Sequence, residues 1–183
     1  MNKQTQLIDA ALQLFYEKGI NSVGINEVLK TTGIAKKTLY NHFKSKDELV
    51  LAALKKRDQQ FLIWLDRRLE EADSKEKAVV VLFESLTDWF HNQVEELPPF
   101  RGCFFINSAI ECGVVNNEIA AYCKDHKQQV RQLLSKRMSH LSDEVLDVIC
   151  TLKEGAIVMA YVAEDKNAAM KCLPSALTLV AGN

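Results

Sequence analysis

The apolar positions of this chain recur three and four residues apart almost from end to end, the spacing of one face of an α-helix. Leu7, Ile8, Ala11, Leu12 and Phe15 form the first such stripe. Thr5 is placed to cap its start and Gly19 to end it in a left-handed turn. Two shorter pieces follow, Ile25 to Thr32 closed by Gly33, and Lys36 to Phe43. Two short helices joined by a tight glycine turn make a helix-turn-helix candidate. Ser45 with Glu48 reads as a capping box, the hydroxyl accepting from the Glu48 amide while the carboxylate reaches back to the amide of Ser45. A long helix is predicted from there to about Ala72, on the order of 38 Å at 1.5 Å per residue.

Asp73 with Glu76 offers a second capping box for a helix to Gln93, and Pro98-Pro99 then breaks the chain. A short helix is predicted over Gly102 to Cys112, closed by Gly113. Another is capped by Asn116 or Asn117 and runs to about His140, and Ser142 begins the next. In that helix Val145, Ile149, Leu152, Ala156, Met159 and Ala163 alternate four and three residues apart, a seam facing a partner helix. Asp165 caps a last helix in which Leu173 and Leu177 continue the apolar face and Pro174 introduces a bend. The fold class is therefore all-α, with about nine helices. A three-helix N-terminal domain over 1–47 precedes a larger helical domain over 48–183.

Composition agrees: 48% of the 183 residues are hydrophobic, and only three Pro and seven Gly interrupt them. The polar start lacks the apolar core of a signal peptide and no run suits a membrane span, so a cytoplasmic protein with no membrane partner is expected. Five widely spaced cysteines without a CxxC pair read as free thiols. The histidines His42, His91, His126 and His140 show no HxxxH spacing, so no metal and no other cofactor is expected.

Net charge is only −1, but the average hides a patch. Between Val28 and Lys46 lie Lys30, Lys36, Lys37, Lys44, Lys46 and His42, with no acid among them. Such a run is either a solvated face or the electrostatic footprint of a nucleic-acid reader.

Residues 7 to 54 resemble the DNA-binding region of the TetR family of one-component transcriptional regulators. The resemblance is densest in the run GIAKKTLYNHFKSKDEL from Gly33 to Leu49, and extends to Ala10-Ala11-x-x-Leu14-Phe15 and Glu17-Lys18-Gly19. It implies that the helix from Lys36 enters a major groove, with Lys36, Lys37, Thr38 and Asn41 reaching base edges and Tyr40, His42 and Lys46 at phosphates. Half-buried packing is the alternative for Tyr40, and a surface position without a role the alternative for His42 and Lys37. Departures from the family pattern are Lys37 in place of a small residue, Ala35 and Gly24 in place of hydroxyl-bearing caps, and Leu29 in place of a small residue.

The resemblance further implies a homodimer on a roughly palindromic duplex operator, paired through the Val145–Ala163 seam and the last helix, with intramolecular core as the alternative. It implies a small-molecule effector in the C-terminal domain, usually releasing a repressor. Phe61, Trp64, Phe90, Phe104, Asn107 and Tyr122 are the candidate pocket residues, with core packing the competing role for each aromatic. Arg101-Gly102-Cys103-Phe104-Phe105 resembles a segment in electrophile- and oxidant-responsive members. A cysteine in the first turn of a helix beside an arginine is placed for reactive thiolate character, against the bland reading of a small buried hydrophobe. No Ser/His/Asp arrangement, phosphate loop or carboxylate pair points to an enzyme. A helical scaffold without DNA binding is the other rival.

Overall fold

The computed structural model describes residues 2–112, 116–139 and 141–182. The described residues form nine helices and no strand: α1 (Lys3–Lys18), α2 (Ile25–Thr32), α3 (Lys36–His42), α4 (Lys46–Leu69), α5 (Lys75–Phe90), α6 (Phe104–Cys112), α7 (Asn117–Arg137), α8 (Asp143–Val162) and α9 (Ala168–Ala181). None is long and apolar enough to cross a membrane.

Caps explain most boundaries, in places by a different residue from the one predicted. The α1 cap is Asn2, three residues before Thr5: its Oδ1 accepts from the Thr5 amide at 2.8 Å. Thr5 thus lies inside the helix and serves as donor. At α5 the cap is Ser74 rather than Asp73, accepting from the Lys77 amide at 3.2 Å. The Ser45 box forms, with Glu48 N donating to Ser45 Oγ at 3.2 Å, but the Glu48 carboxylate takes the amide of Lys44 at 2.7 Å instead of that of Ser45. Asn116 caps α7, its Oδ1 accepting from Glu118 and Ile119. Asp165 does not cap α9 directly, because the helix starts at Ala168 behind Asn167. The predicted closing residue Gly113 and the predicted end at His140 lie outside the described residues.

Packing divides the chain into two units, and the division does not follow a single cut after residue 47. Unit 1 holds 1–59 with 104–126, so α6 and the first half of α7 cluster with the N-terminal helices; unit 2 holds 60–103 with 127–183. In unit 1, Leu7, Ala11, Phe15, Ile20, Val23, Val28, Leu39, Phe43, Leu49 and Leu54 form the core of the α1–α4 head. The α6 end is fastened to that head: the Glu111 carboxylate accepts from the Asn21 amide at 2.8 Å, and Asn116 Nδ2 donates to Asp47 at 2.9 Å. Gly19 sits at φ +86 with this carboxylate 3.2 Å from where a Cβ would stand, so any side chain there is strained and crowded.

In unit 2, α5, α8 and α9 pack on one another. Its core is aromatic: Phe61, Trp64, Trp89, Phe90 and Phe100 form a chain of edge and tilted contacts with centroids 4.7 to 6.3 Å apart.

Candidate nucleic-acid interface

Seven residues are too few to hold a helix in water, so α3 exists because it is anchored. Leu39 is fully buried and Phe43 nearly so, both in the α1–α2 core. The opposite face is bare: Lys36, Lys37, Asn41 and His42 are exposed, Tyr40 is 45% exposed and Thr38 is half-buried. Gly33, left-handed at φ +67, turns the chain between α2 and α3, and the caps Gly24 and Ala35 make no side-chain bond, as the absence of hydroxyls there requires. Six of the seven residues assigned to DNA thus share one short exposed helix.

Lys46 is placed differently. Its ammonium donates to the Ile20 carbonyl at 2.6 Å and lies 5.9 Å from the centre of the Phe15 ring. It binds the start of α4 to the α1–α2 turn, which positions the reading face instead of extending it.

The candidate effector residues belong to both units. Phe61, Trp64 and Phe90 belong to the aromatic core of unit 2, where they fill space. Phe104 packs edge-on against Tyr16 in unit 1, 5.9 Å between centroids. Tyr122, also in unit 1, donates to Asp58 at 2.9 Å, and burial together with that carboxylate pushes its hydroxyl well above the usual phenol range. Asn107 is half-buried on α6. Among the described residues of unit 2, Leu62, Ile63, Asp66, Gln129, Gln132, Leu133 and Lys136 line a cleft of about 430 Å³, and Gln60, Ile63, Trp64, Arg67 and Glu96 border a smaller one. Of the predicted residues, Trp64 alone borders either.

Two polar clusters escaped sequence reasoning. In unit 1, His126 Nδ1 meets Asp58 Oδ1 at 2.7 Å, the pair is at most 5% exposed, and Phe105 stacks on the imidazole at 3.5 Å. In unit 2, Cys103 is buried just before α6 rather than in its first turn, and the cation at its sulfur is Lys127, Nζ 3.3 Å from Sγ. Lys127 also donates to Glu154 at 2.8 Å, and Glu154 pairs with buried Lys153. Burial would raise the Glu154 carboxyl, but Lys153 and Lys127 outweigh it and bring it down to about 2. Apart from the neighbours Lys153 and Glu154, the hydrogen-bonded partners lie 24 to 68 residues apart in sequence; only i to i+4 pairs are visible from spacing. No group of three or more His, Cys, Asp or Glu side chains gathers as for a metal among the described residues.

On α8 the predicted seam is split. Ile149 and Ala156 are buried within the chain, Val145 and Leu152 are half-buried, and Met159 and Ala163 are exposed. Leu173 and Leu177 on α9 are half-buried. The uncovered apolar face runs beside the seam through Val148, Val158, Met159 and Val162, the last 75% exposed, with bare Gly155 among them.

Comparison with known proteins places these features. Residues 7–53, the span from mid-α1 into α4, match the family of bacterial regulatory proteins called the tetR family. An uncharacterized HTH-type transcriptional regulator in the lacX 3' region of Lactococcus lactis is 22% identical over 91% of this chain and 87% of its own length. Among solved structures, a TetR-family transcriptional regulator from Streptomyces coelicolor superposes with TM-score 0.84 at 22% identity, covering 97% of this chain and 94% of that one. FadR of Bacillus subtilis, solved with stearoyl-CoA, gives TM-score 0.73 at 17% identity over 99% of this chain and all of that one. The structural likenesses establish the fold, and the match across α1 to α4 identifies the head: residues 7–53 are similar to the DNA-binding region of the tetR family of bacterial regulatory proteins.

Proposed function

We propose that this chain is a ligand-released repressor that binds a palindromic operator as a twofold dimer. The observation that carries the reading is α3: a polar, lysine-bearing face over a fully buried Leu39, with no acid between Val28 and Lys46. Lys36, Lys37, Thr38 and Asn41 then address base edges, while Tyr40 and His42 hold phosphates. Lys46 acts indirectly, by fixing α4 against the α1–α2 turn.

One seven-residue helix reads too few base pairs for useful specificity, so two copies are required. The uncovered Val148, Val158, Met159 and Val162 on α8, continuing over half-buried Leu173 and Leu177 on α9, supply the apolar face for a second copy. Release by an effector is a matter of linkage: a 100-fold loss of operator affinity needs about 2.7 kcal/mol of differential binding. A small molecule or a reactive electrophile is the effector, with Cys103 and the aromatic residues of unit 2 on its side. The likeness to a stearoyl-CoA-bound regulator supports a small-molecule response without specifying the molecule.

The test is a gel shift on the DNA upstream of the chain's own gene, followed by compounds that reverse it. A specific, salt-sensitive shift carried by a dimer is expected. A monomer, or a protein without affinity for any duplex, would overturn the proposal.

A further inference from the structure

We propose that the smaller cleft of unit 2, between α4 and the segment after α5, takes a neutral, flat aromatic molecule carrying one hydroxyl or N–H donor. Gln60, Ile63, Trp64, Arg67 and Glu96 border it, all within that unit. The observation that points to a ligand is Gln60: its Oε1 is buried and accepts a hydrogen bond from no described residue. A buried acceptor left unpaired costs the fold the full desolvation of that group, and here it stands on a residue of the cleft wall. The last torsion of the amide is broad, so the oxygen turns to meet an entering donor without leaving a rotamer well.

Size, shape and charge narrow the occupant. The cleft holds about 200 Å³. An apolar cavity of about 150 Å³ takes benzene, so one substituted ring or two fused rings fit here. Trp64 is 2% exposed and held by Phe61 and Trp89, at 5.3 and 6.3 Å between centroids, so it gives the wall a fixed indole. A flat ring meets such a wall edge-on or offset. Ile63, 59% exposed, adds apolar surface. Arg67 and Glu96 pair with each other, so the charges on the cleft cancel. A charged occupant would gain from either one only by parting it from the other.

The larger cleft of unit 2 lacks this chemistry. Arg137 donates to its Asp66 at 2.7 Å, and none of the described residues lining it holds an unpartnered buried polar atom. That occupancy of the smaller cleft releases DNA rests on the function proposed above; binding in the cleft does not.

The experiment titrates the full-length protein with β-naphthol and with indole by isothermal titration calorimetry. Each is measured beside its methylated twin, naphthyl methyl ether or N-methylindole, which keeps the rings and loses the donor. At least one donor is expected to bind at a single site per chain, about tenfold more tightly than its twin. Gln60→Leu is close in volume and lacks the acceptor. It should abolish the preference for the donor and raise the urea midpoint, because an unpaired polar group is gone, with an unchanged circular dichroism spectrum to show that it folds. Binding of neither donor, equal binding of donor and twin, or a preference that survives in Gln60→Leu would overturn the proposal. Operator binding at saturation with the tighter donor is read separately: occupancy without loss of DNA affinity refutes the releasing role and leaves the site standing.

Discussion

Leu39→Ala separates the two faces of α3. Leu39 is fully buried in the head, and shortening it deletes three carbons, roughly 2.4 kcal/mol at about 0.8 per CH2, before any cavity cost. A loss of about 3 kcal/mol accelerates exchange of the α1–α3 amides about 150-fold. If opening of the head costs about 5 kcal/mol in the parent, the variant still keeps all but roughly 3% of molecules closed, so operator affinity in the cold changes less than twofold. Lys37→Ala should do the reverse. Its side chain is exposed, so amide exchange stays within about 0.5 kcal/mol of the parent while affinity falls. Hydrogen exchange by mass spectrometry and fluorescence anisotropy on one duplex read both quantities. If Leu39→Ala leaves exchange unchanged, α3 is not held by this anchor and the assignment of its faces fails.

Three further outcomes are expected. Glu154 is depressed to about 2, so its contribution is complete above the unfolded value near 4.5 and fades as pH falls toward 2; Glu154→Gln should flatten stability against pH in that acid window, by on the order of 3 kcal/mol at most, measured by urea unfolding at stepped pH. Asp58→Ala strips the acceptor from the Tyr122 hydroxyl and from His126 at once and should cost about 3 kcal/mol, read in the same unfolding assay; a loss below 1 would mean the cluster is wet. Val162→Asp places a charge on the bare α8 face and should shift the sedimentation profile from dimer to monomer while circular dichroism stays unchanged.

The sequence was legible where local chemistry decides. Helix periodicity, the glycine turns at 19 and 33 and the capping residues at Ser45, Asn116 and Ser142 are all short-range signals, and the structure uses each. Where two candidate caps lay close together, as with Ser74 beside Asp73, spacing alone could not choose between them. The α3 face was readable because its apolar and polar residues alternate within seven positions. The Lys127–Cys103 contact, the Asp58–His126 pair and the inward turn of Lys46 were not, since each joins residues 24 to 68 positions apart. The effector residues are hard to read for a related reason: an aromatic side chain signals burial, and burial in a core and burial around a ligand leave the same trace in sequence.

The claim beneath the whole account is that α3 carries its lysines into a duplex groove. It is tested most directly by the slope of log affinity against log salt, measured on one operator for the parent and for the Lys36→Ala, Lys37→Ala double variant. A steep parental slope that becomes shallower in the double variant is predicted, because two positive charges no longer displace counterions from the duplex. Identical slopes in the two proteins, or a parental affinity indifferent to salt, would contradict it.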